Sequence, residues 1–172
     1  MKQFLKWLPI GAAGLALVAL LVGGLAPYVS TSATTYYRGV RCILGYDKAY
    51  TIAGKEVTIE YLKFSFPNLL TVILMLAGIA ALVVGFFKPD LFWLAYVAIG
   101  CFAVAAVFYF CGVAFTQVGT DDYQGYFALT KEGWKLGPGA IVGGILAILC
   151  ALAAATNPVL NLLESKKIIK IK

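Results

Sequence analysis

The stretch YYRGVRCILGYDKAYTIAGKEVTIEYLKFSFP, residues 36–67, decides the fold, because it is the one long interval that is neither apolar nor a short tail. It reads as strand, turn, strand. In residues 36–44, Tyr36, Arg38, Val40, Cys42 and Leu44 fall on one side of an extended chain, with Tyr37, Gly39, Arg41 and Ile43 on the other. The β-branched and aromatic content favours a strand there over a helix. Gly45-Tyr46-Asp47-Lys48 is a turn candidate. Residues 50–53 and 56–62 then flank Gly54-Lys55, a hairpin turn in which glycine takes a positive φ. In the second arm Val57, Ile59 and Tyr61 alternate with Thr58, Glu60 and Leu62, the clearest period-two run in the chain. A two-stranded hairpin is marginal alone, so it needs a further strand, from residues 36–44 or from a later loop.

Working outward, the flanking sequence is membrane-like. Only 13% of the 172 residues are charged and 62% are hydrophobic, whereas soluble domains carry about 25% charge. Four uncharged apolar runs are long enough to cross a bilayer: residues 7–29, 69–87, 91–115 and 138–157. None has the polar outer face that a helix on a soluble core presents. Lys2 and Lys6 followed by an apolar stretch imitate a signal peptide. That run exceeds the roughly 7–15 residues of a signal core, and Pro27 sits where a mature N-terminus would begin, so a retained first span is expected. The expected fold class is therefore all-α: a single membrane domain, residues 1–172, built as a four-helix bundle. It carries a small antiparallel β-sheet made from two outer loops, residues 30–68 and 116–137. The second loop offers a strand at 123–129 and a turn at Lys131-Glu132-Gly133, and Trp134 suits a membrane interface. Lys88-Pro89-Asp90 is short enough to make the second and third spans antiparallel neighbours. Pro158 predicts an end to the last span at Asn157, before a basic tail at 158–172.

Orientation rests on placement, since seven Lys or Arg fall on each side of the membrane. Lys2 and Lys6 abut the first span and four lysines follow the last. The positive-inside rule then puts both termini in the cytoplasm, the loops outside, and the chain in the plasma membrane.

The chemistry is mostly negative. With no histidine there is no Ser/His/Asp or Cys/His set, and no glycine-rich phosphate loop follows a strand. Asp121 and Asp122 lack the surrounding ligands of a calcium loop. Cys42 is the only loop cysteine and reads as a packed thiol on a strand, with inter-chain cross-linking as the alternative. No span contains an acid or a base, which argues against a proton-coupled transporter or pump. Gly139, Gly143, Ala147, Ala151 and Ala155 recur every four residues, a small-residue stripe for close helix packing. Lys166, Lys167, Lys170 and Lys172 suit anionic lipid or a topology-fixing stop signal. Eight of ten tyrosines lie in or beside the two loops. Tyr36, Tyr37, Tyr46, Tyr50, Tyr61, Tyr123, Tyr126 and Trp134 are thus the expected partner-contact residues.

The expectation is a non-enzymatic structural or assembly protein with no cofactor, metal or nucleic acid. Its outer β-layer meets another copy or a partner subunit within the lipid membrane. The alternative is a small channel or transporter-accessory subunit, with a lumen drawn in a ring of copies from Thr71, Thr116 or the Gly23-Gly24 break. The layout, together with Tyr37-Arg38-Gly39-Val40-Arg41-Cys42, resembles the claudin and peripheral-myelin-protein tetraspan group, and the layout is similar also to small four-span bacterial membrane proteins. The former resemblance implies a first outer loop folded as a sheet to which the second loop adds a strand. The first loop has no tryptophan and no second cysteine, so the disulfide of that group cannot form.

Overall fold

The computed structural model describes residues 2–31, 35–52, 54–119 and 131–165. The chain runs α1 (Lys2–Leu25), β1 (Pro27–Ser30), β2 (Tyr36–Arg38), α2 (Gly39–Leu44), β3 (Tyr46–Ile52) and β4 (Lys55–Lys63). It continues as α3 (Phe66–Phe87), α4 (Trp93–Phe110), α5 (Gly112–Phe115), β5 (Gln117–Val118), β6 (Lys135–Leu136) and α6 (Pro138–Ser165). Four stretches, Trp7–Leu25, Phe66–Phe87, Trp93–Phe110 and Pro138–Leu160, are helical, long enough and apolar enough to cross a membrane. The chain is a mostly helical, multi-pass membrane protein with two small antiparallel sheets.

The long helices close a ring in which α1 touches α3 and α6, and α4 touches the same two. Polarity in this bundle is inverted relative to a soluble one. Leu21, Val107 and Leu152 are more than half exposed, while Ser65, Asn68, Thr71 and Thr116 are buried. That arrangement suits lipid as the solvent, because apolar side chains lose nothing by facing acyl tails. α1 and α6, which touch, both bury small residues: Ala12, Ala16 and Ala19 on the first, Ala147, Cys150 and Ala154 on the second. The Cys150 thiol donates to the Ala12 carbonyl at 3.5 Å. On the α3–α4 side, Phe102 is fully buried and fills the slot opened by Gly78, where a Cβ would come within 2.6 Å of its ring. The Lys88-Pro89-Asp90 turn joins these two helices, as its length requires; Lys88 N–H caps Val84 and Leu91 N–H bonds to Lys88.

The six strands among the described residues gather where α1 and α4 end and α3 and α6 begin. Here the structure corrects several expectations. The first apolar run does not continue to residue 29. Its helix stops at Leu25, and Pro27–Ser30 is the middle strand of a sheet ordered β2-β1-β6, with Val29 opposite both Tyr37 and Leu136. Pro27 cannot extend the helical hydrogen-bond ladder, and Tyr28 and Val29 are buried. Residues 36–44 are a strand only as far as Arg38, after which Gly39–Leu44 is a short helix. The turn brings Gly39 against α1 so closely that a Cβ would overlap the Gly23 carbonyl oxygen, and it sends Cys42 into the core. Cys42 is thus the packed thiol anticipated, on a helix rather than a strand.

The hairpin is present and longer than expected. β3 pairs with β4 from Ile52↔Lys55 back to Tyr46↔Leu62, and Gly54 turns with φ +77°. The expected turn at residues 45–48 contracts to Gly45, at φ +92°, because Tyr46 already pairs. The described residues form two three-stranded sheets, not one, since Gln117–Val118 lends β5 to β4 and Lys135–Leu136 lends β6 to β1. The Lys131-Glu132-Gly133 turn forms, with Trp134 N–H bonded to the Lys131 carbonyl and Gly133 at φ +76°. The run 91–115 is broken at Cys111, where the backbone leaves the helical region and α5 starts anew. Pro158 does not end α6, which continues to Ser165; membrane helices tolerate an internal proline. The expected strand at 123–129, Asp121, Asp122, Tyr123, Tyr126, Lys166, Lys167, Lys170 and Lys172 lie outside the described residues.

Candidate functional site

Sheet β3-β4-β5 has two unlike faces, because cross-strand partners share a side. The register pairs Lys48 with Ile59 and Tyr50 with Val57, and Tyr61 follows Ile59 on that side. On the opposite face stand Asp47, Ala49, Thr51, Glu56 and Thr58, all exposed. The Tyr46/Asp47 register shift lets Tyr46 and Tyr61 meet at 5.9 Å between ring centroids.

From that pair a continuous aromatic row runs across both sheets. Trp134, just before β6, lies 6.0 Å from Tyr37 of β2, which lies 6.1 Å from Tyr46. At the other end the Tyr61 and Tyr50 hydroxyls are 2.8 Å apart. Five of the eight expected contact residues are thereby brought together from four separate segments. Tyr36, half exposed on β2, forms no part of this row. The row is half-buried along its length and carries two exposed cations: Arg41 stands 4.1 Å over the Tyr46 ring and Lys48 stands 4.9 Å from that of Tyr50. Each such contact is worth about 0.5–1 kcal/mol at an exposed position. The combination offers flat apolar area, phenolic donors and positive charge, which suits a partner surface with carboxylate or carbonyl groups.

Ionisation within the row is graded. Burial, then the hydrogen bond to Tyr50, pushes the Tyr61 phenol up to about 12. That same bond holds Tyr50 below the usual tyrosine value, so Tyr50 is the first of the pair to ionise. Burial also raises Tyr37. No group of three His, Cys, Asp or Glu that could hold a metal ion occurs among the described residues.

A second polar cluster ties the strands to the spans. Ser65 caps α3, accepting from Asn68 N–H at 3.4 Å while its own hydroxyl donates to the Phe115 carbonyl at 2.7 Å. The Asn68 amide nitrogen donates to the Cys42 carbonyl at 3.1 Å and to the Thr116 hydroxyl at 3.2 Å. Thr116 passes its own proton to the Gly112 carbonyl at 2.7 Å. One asparagine thus joins α2, α3 and the end of α5. Sequence reasoning started this span at residue 69 and missed the clamp. The signal was present: Ser65-Phe66-Pro67 places a capping hydroxyl and then proline in the first turn, a helix start.

The small-residue stripe of α6 faces more than one neighbour. A Cβ on Gly139 would lie 2.8 Å from the Pro27 carbonyl oxygen, and one on Gly143 would lie 2.9 Å from the Tyr109 ring. Ala147 is fully buried, and Ala151 and Ala155 are half-buried. Thr71 and Thr116 are buried inside one chain, and the Thr71 hydroxyl donates to the Pro67 carbonyl of its own helix at 3.2 Å. In comparisons with known proteins, no family model matches this chain, and no curated protein matches it.

Proposed function

We propose that this chain is a non-enzymatic assembly protein of the plasma membrane. Its four spans hold the β-layer outside the cell, with both termini in the cytoplasm, and the layer contacts another copy or a partner subunit. The aromatic row Trp134-Tyr37-Tyr46-Tyr61-Tyr50, with Arg41 and Lys48 on its rings, carries this reading. Tyrosine, tryptophan and arginine are enriched among the residues that carry most of the binding energy of protein interfaces. β3 supports the reading further, since it closes its sheet's strand order and offers a seven-residue strand at the rim.

The test is the mass of the complex extracted in mild detergent, comparing the parent chain with a Lys48→Glu/Tyr50→Ala double variant. The parent is expected to run larger than one chain plus its detergent. The variant removes one ring and reverses one charge, and loss of a hot spot of about 2 kcal/mol lowers affinity roughly thirtyfold. It is expected to run as a single chain with unchanged membrane insertion. A parent that already runs alone, with nothing co-extracted, contradicts the proposal.

A further inference from the structure

One buried acceptor is left over where α1, α2, α3 and α4 converge. The orientation of the Asn68 amide is fixed by chemistry: the Cys42 carbonyl can only accept, and the Thr116 hydroxyl has spent its proton on Gly112. The NH₂ end must therefore face those two, which turns Oδ1 the other way. Asn68 is 2% exposed, and no described group donates to Oδ1. Leaving such an acceptor dry in a low-dielectric interior is costly, and buried polar atoms of this kind are nearly always paired to protein or to ordered water.

Asn68 lines a cavity of about 20 Å³, whose wall includes Thr71, Val72, Tyr28 and Tyr109. One water requires about 10–15 Å³ of such space and two to four polar partners. The space suffices, and Asn68, Thr71, Tyr28 and Tyr109 bring the polar side chains to an otherwise apolar wall. The Thr71 and Tyr109 hydroxyls have given their protons to the Pro67 and Ala19 carbonyls, which leaves each with lone pairs to accept from a water. Gly23, on the same wall, lets the Tyr109 ring stand close to α1, since a Cβ there would lie 2.6 Å from it.

We propose that this cavity is a binding site for a single ordered water, which donates one hydrogen to Asn68 Oδ1 and the other to a hydroxyl on the facing wall. The water completes the polar joint between the β-layer and the bundle. Larger ligands do not fit, and a cation finds no carboxylate there. The site is independent of what the β-layer binds.

The sign of one substitution decides between a wet and a dry cavity. Val72→Ile adds a methylene to the wall. In an empty cavity that addition improves packing and raises the unfolding midpoint. If a water is held, the methylene displaces it and strands Oδ1, so the midpoint falls by several degrees. In an Asn68→Leu background the anchor is gone, and the same Val72→Ile change is expected to become neutral or stabilising. A midpoint that is unchanged or raised by Val72→Ile in the parent chain overturns the proposal. Should Asn68→Leu fail to accumulate, an experimental map that resolves waters elsewhere in the protein decides directly. Density within hydrogen-bond reach of Oδ1 supports the site, and an empty cavity removes it.

Discussion

Gly39→Ala probes the contact that keys the β-layer to the spans. Gly39 has no positive φ, so alanine meets no backbone strain of its own there; among the described residues the positive-φ glycines are Gly45, Gly54 and Gly133. The obstacle is space alone. The added methyl would overlap the Gly23 carbonyl oxygen and lie 2.9 Å from the Gly23 carbonyl carbon and 3.0 Å from Gly24 Cα. Every one of those atoms is backbone, so no rotamer change relieves the clash, and the start of α2 must lift away from α1. Overpacking of this kind costs about 1–3 kcal/mol, with rigid partners at the upper end. At about 2–4 °C per kcal/mol for a chain of this size, a 3 kcal/mol loss lowers the unfolding midpoint by about 6–12 °C. Gly11→Ala is the matched control. Nothing lies within 4 Å of that position, and alanine in a helix interior gains up to about 1 kcal/mol over glycine. The assay is thermal unfolding in detergent, followed by tryptophan fluorescence. Equal midpoints for the two variants would refute the reasoning.

Other outcomes follow from the same geometry. Cys42 is fully buried and its thiol is pushed up to about 12 by burial, so it should resist maleimide at mildly alkaline pH and react once SDS unfolds the chain, as peptide mass mapping would show. The sign of the linkage is that this thiol's contribution is intact below its unfolded value of 9.0 and is lost as pH rises toward about 12. Thr116→Val leaves the Gly112 carbonyl with the Thr116 N–H alone and removes an acceptor from the Asn68 amide, a loss of about 1–3 kcal/mol by thermal unfolding that Thr116→Ser should largely restore. Tyr61→Phe should bring the lowered Tyr50 ionisation back toward the ordinary tyrosine value of 10.0 in an ultraviolet titration, because the Tyr61 hydroxyl is the largest cause of that lowering. An unchanged Tyr50 titration would contradict the 2.8 Å contact between the two hydroxyls.

The spans were legible because lipid leaves a plain mark: long apolar runs without charge, two of them joined by Lys88-Pro89-Asp90. The hairpin was legible from the period-two run at Val57, Ile59 and Tyr61 around a turn glycine. What escaped was decided by contacts distant in sequence. Pro27–Ser30 looks like the tail of a span until β2 and β6 flank it. Gly39–Leu44 has strand-like composition, but the close approach of Gly39 to Gly23 turns it into a helix. The break at Cys111 comes with the packing of Gly112, where a Cβ would sit 2.6 Å from the Tyr28 ring, across more than eighty residues of chain. Composition singled out the loop tyrosines, and only the fold places Tyr37, Tyr46, Tyr50 and Tyr61 in one row with Trp134 while Tyr36 stands aside. Asn68 looked like a loop residue at the edge of a span, and its clamp needs partners 26 and 48 positions away.

The most direct test of the membrane architecture uses two cysteines introduced separately, Lys48→Cys on β3 and Lys88→Cys in the α3–α4 turn, each compared with the parent chain. A membrane-impermeant maleimide applied to intact cells should label position 48 at once. Position 88 should stay dark until the membrane is opened. Equal labelling of the two positions in intact cells would contradict a bundle that crosses the bilayer with its β-layer on one side.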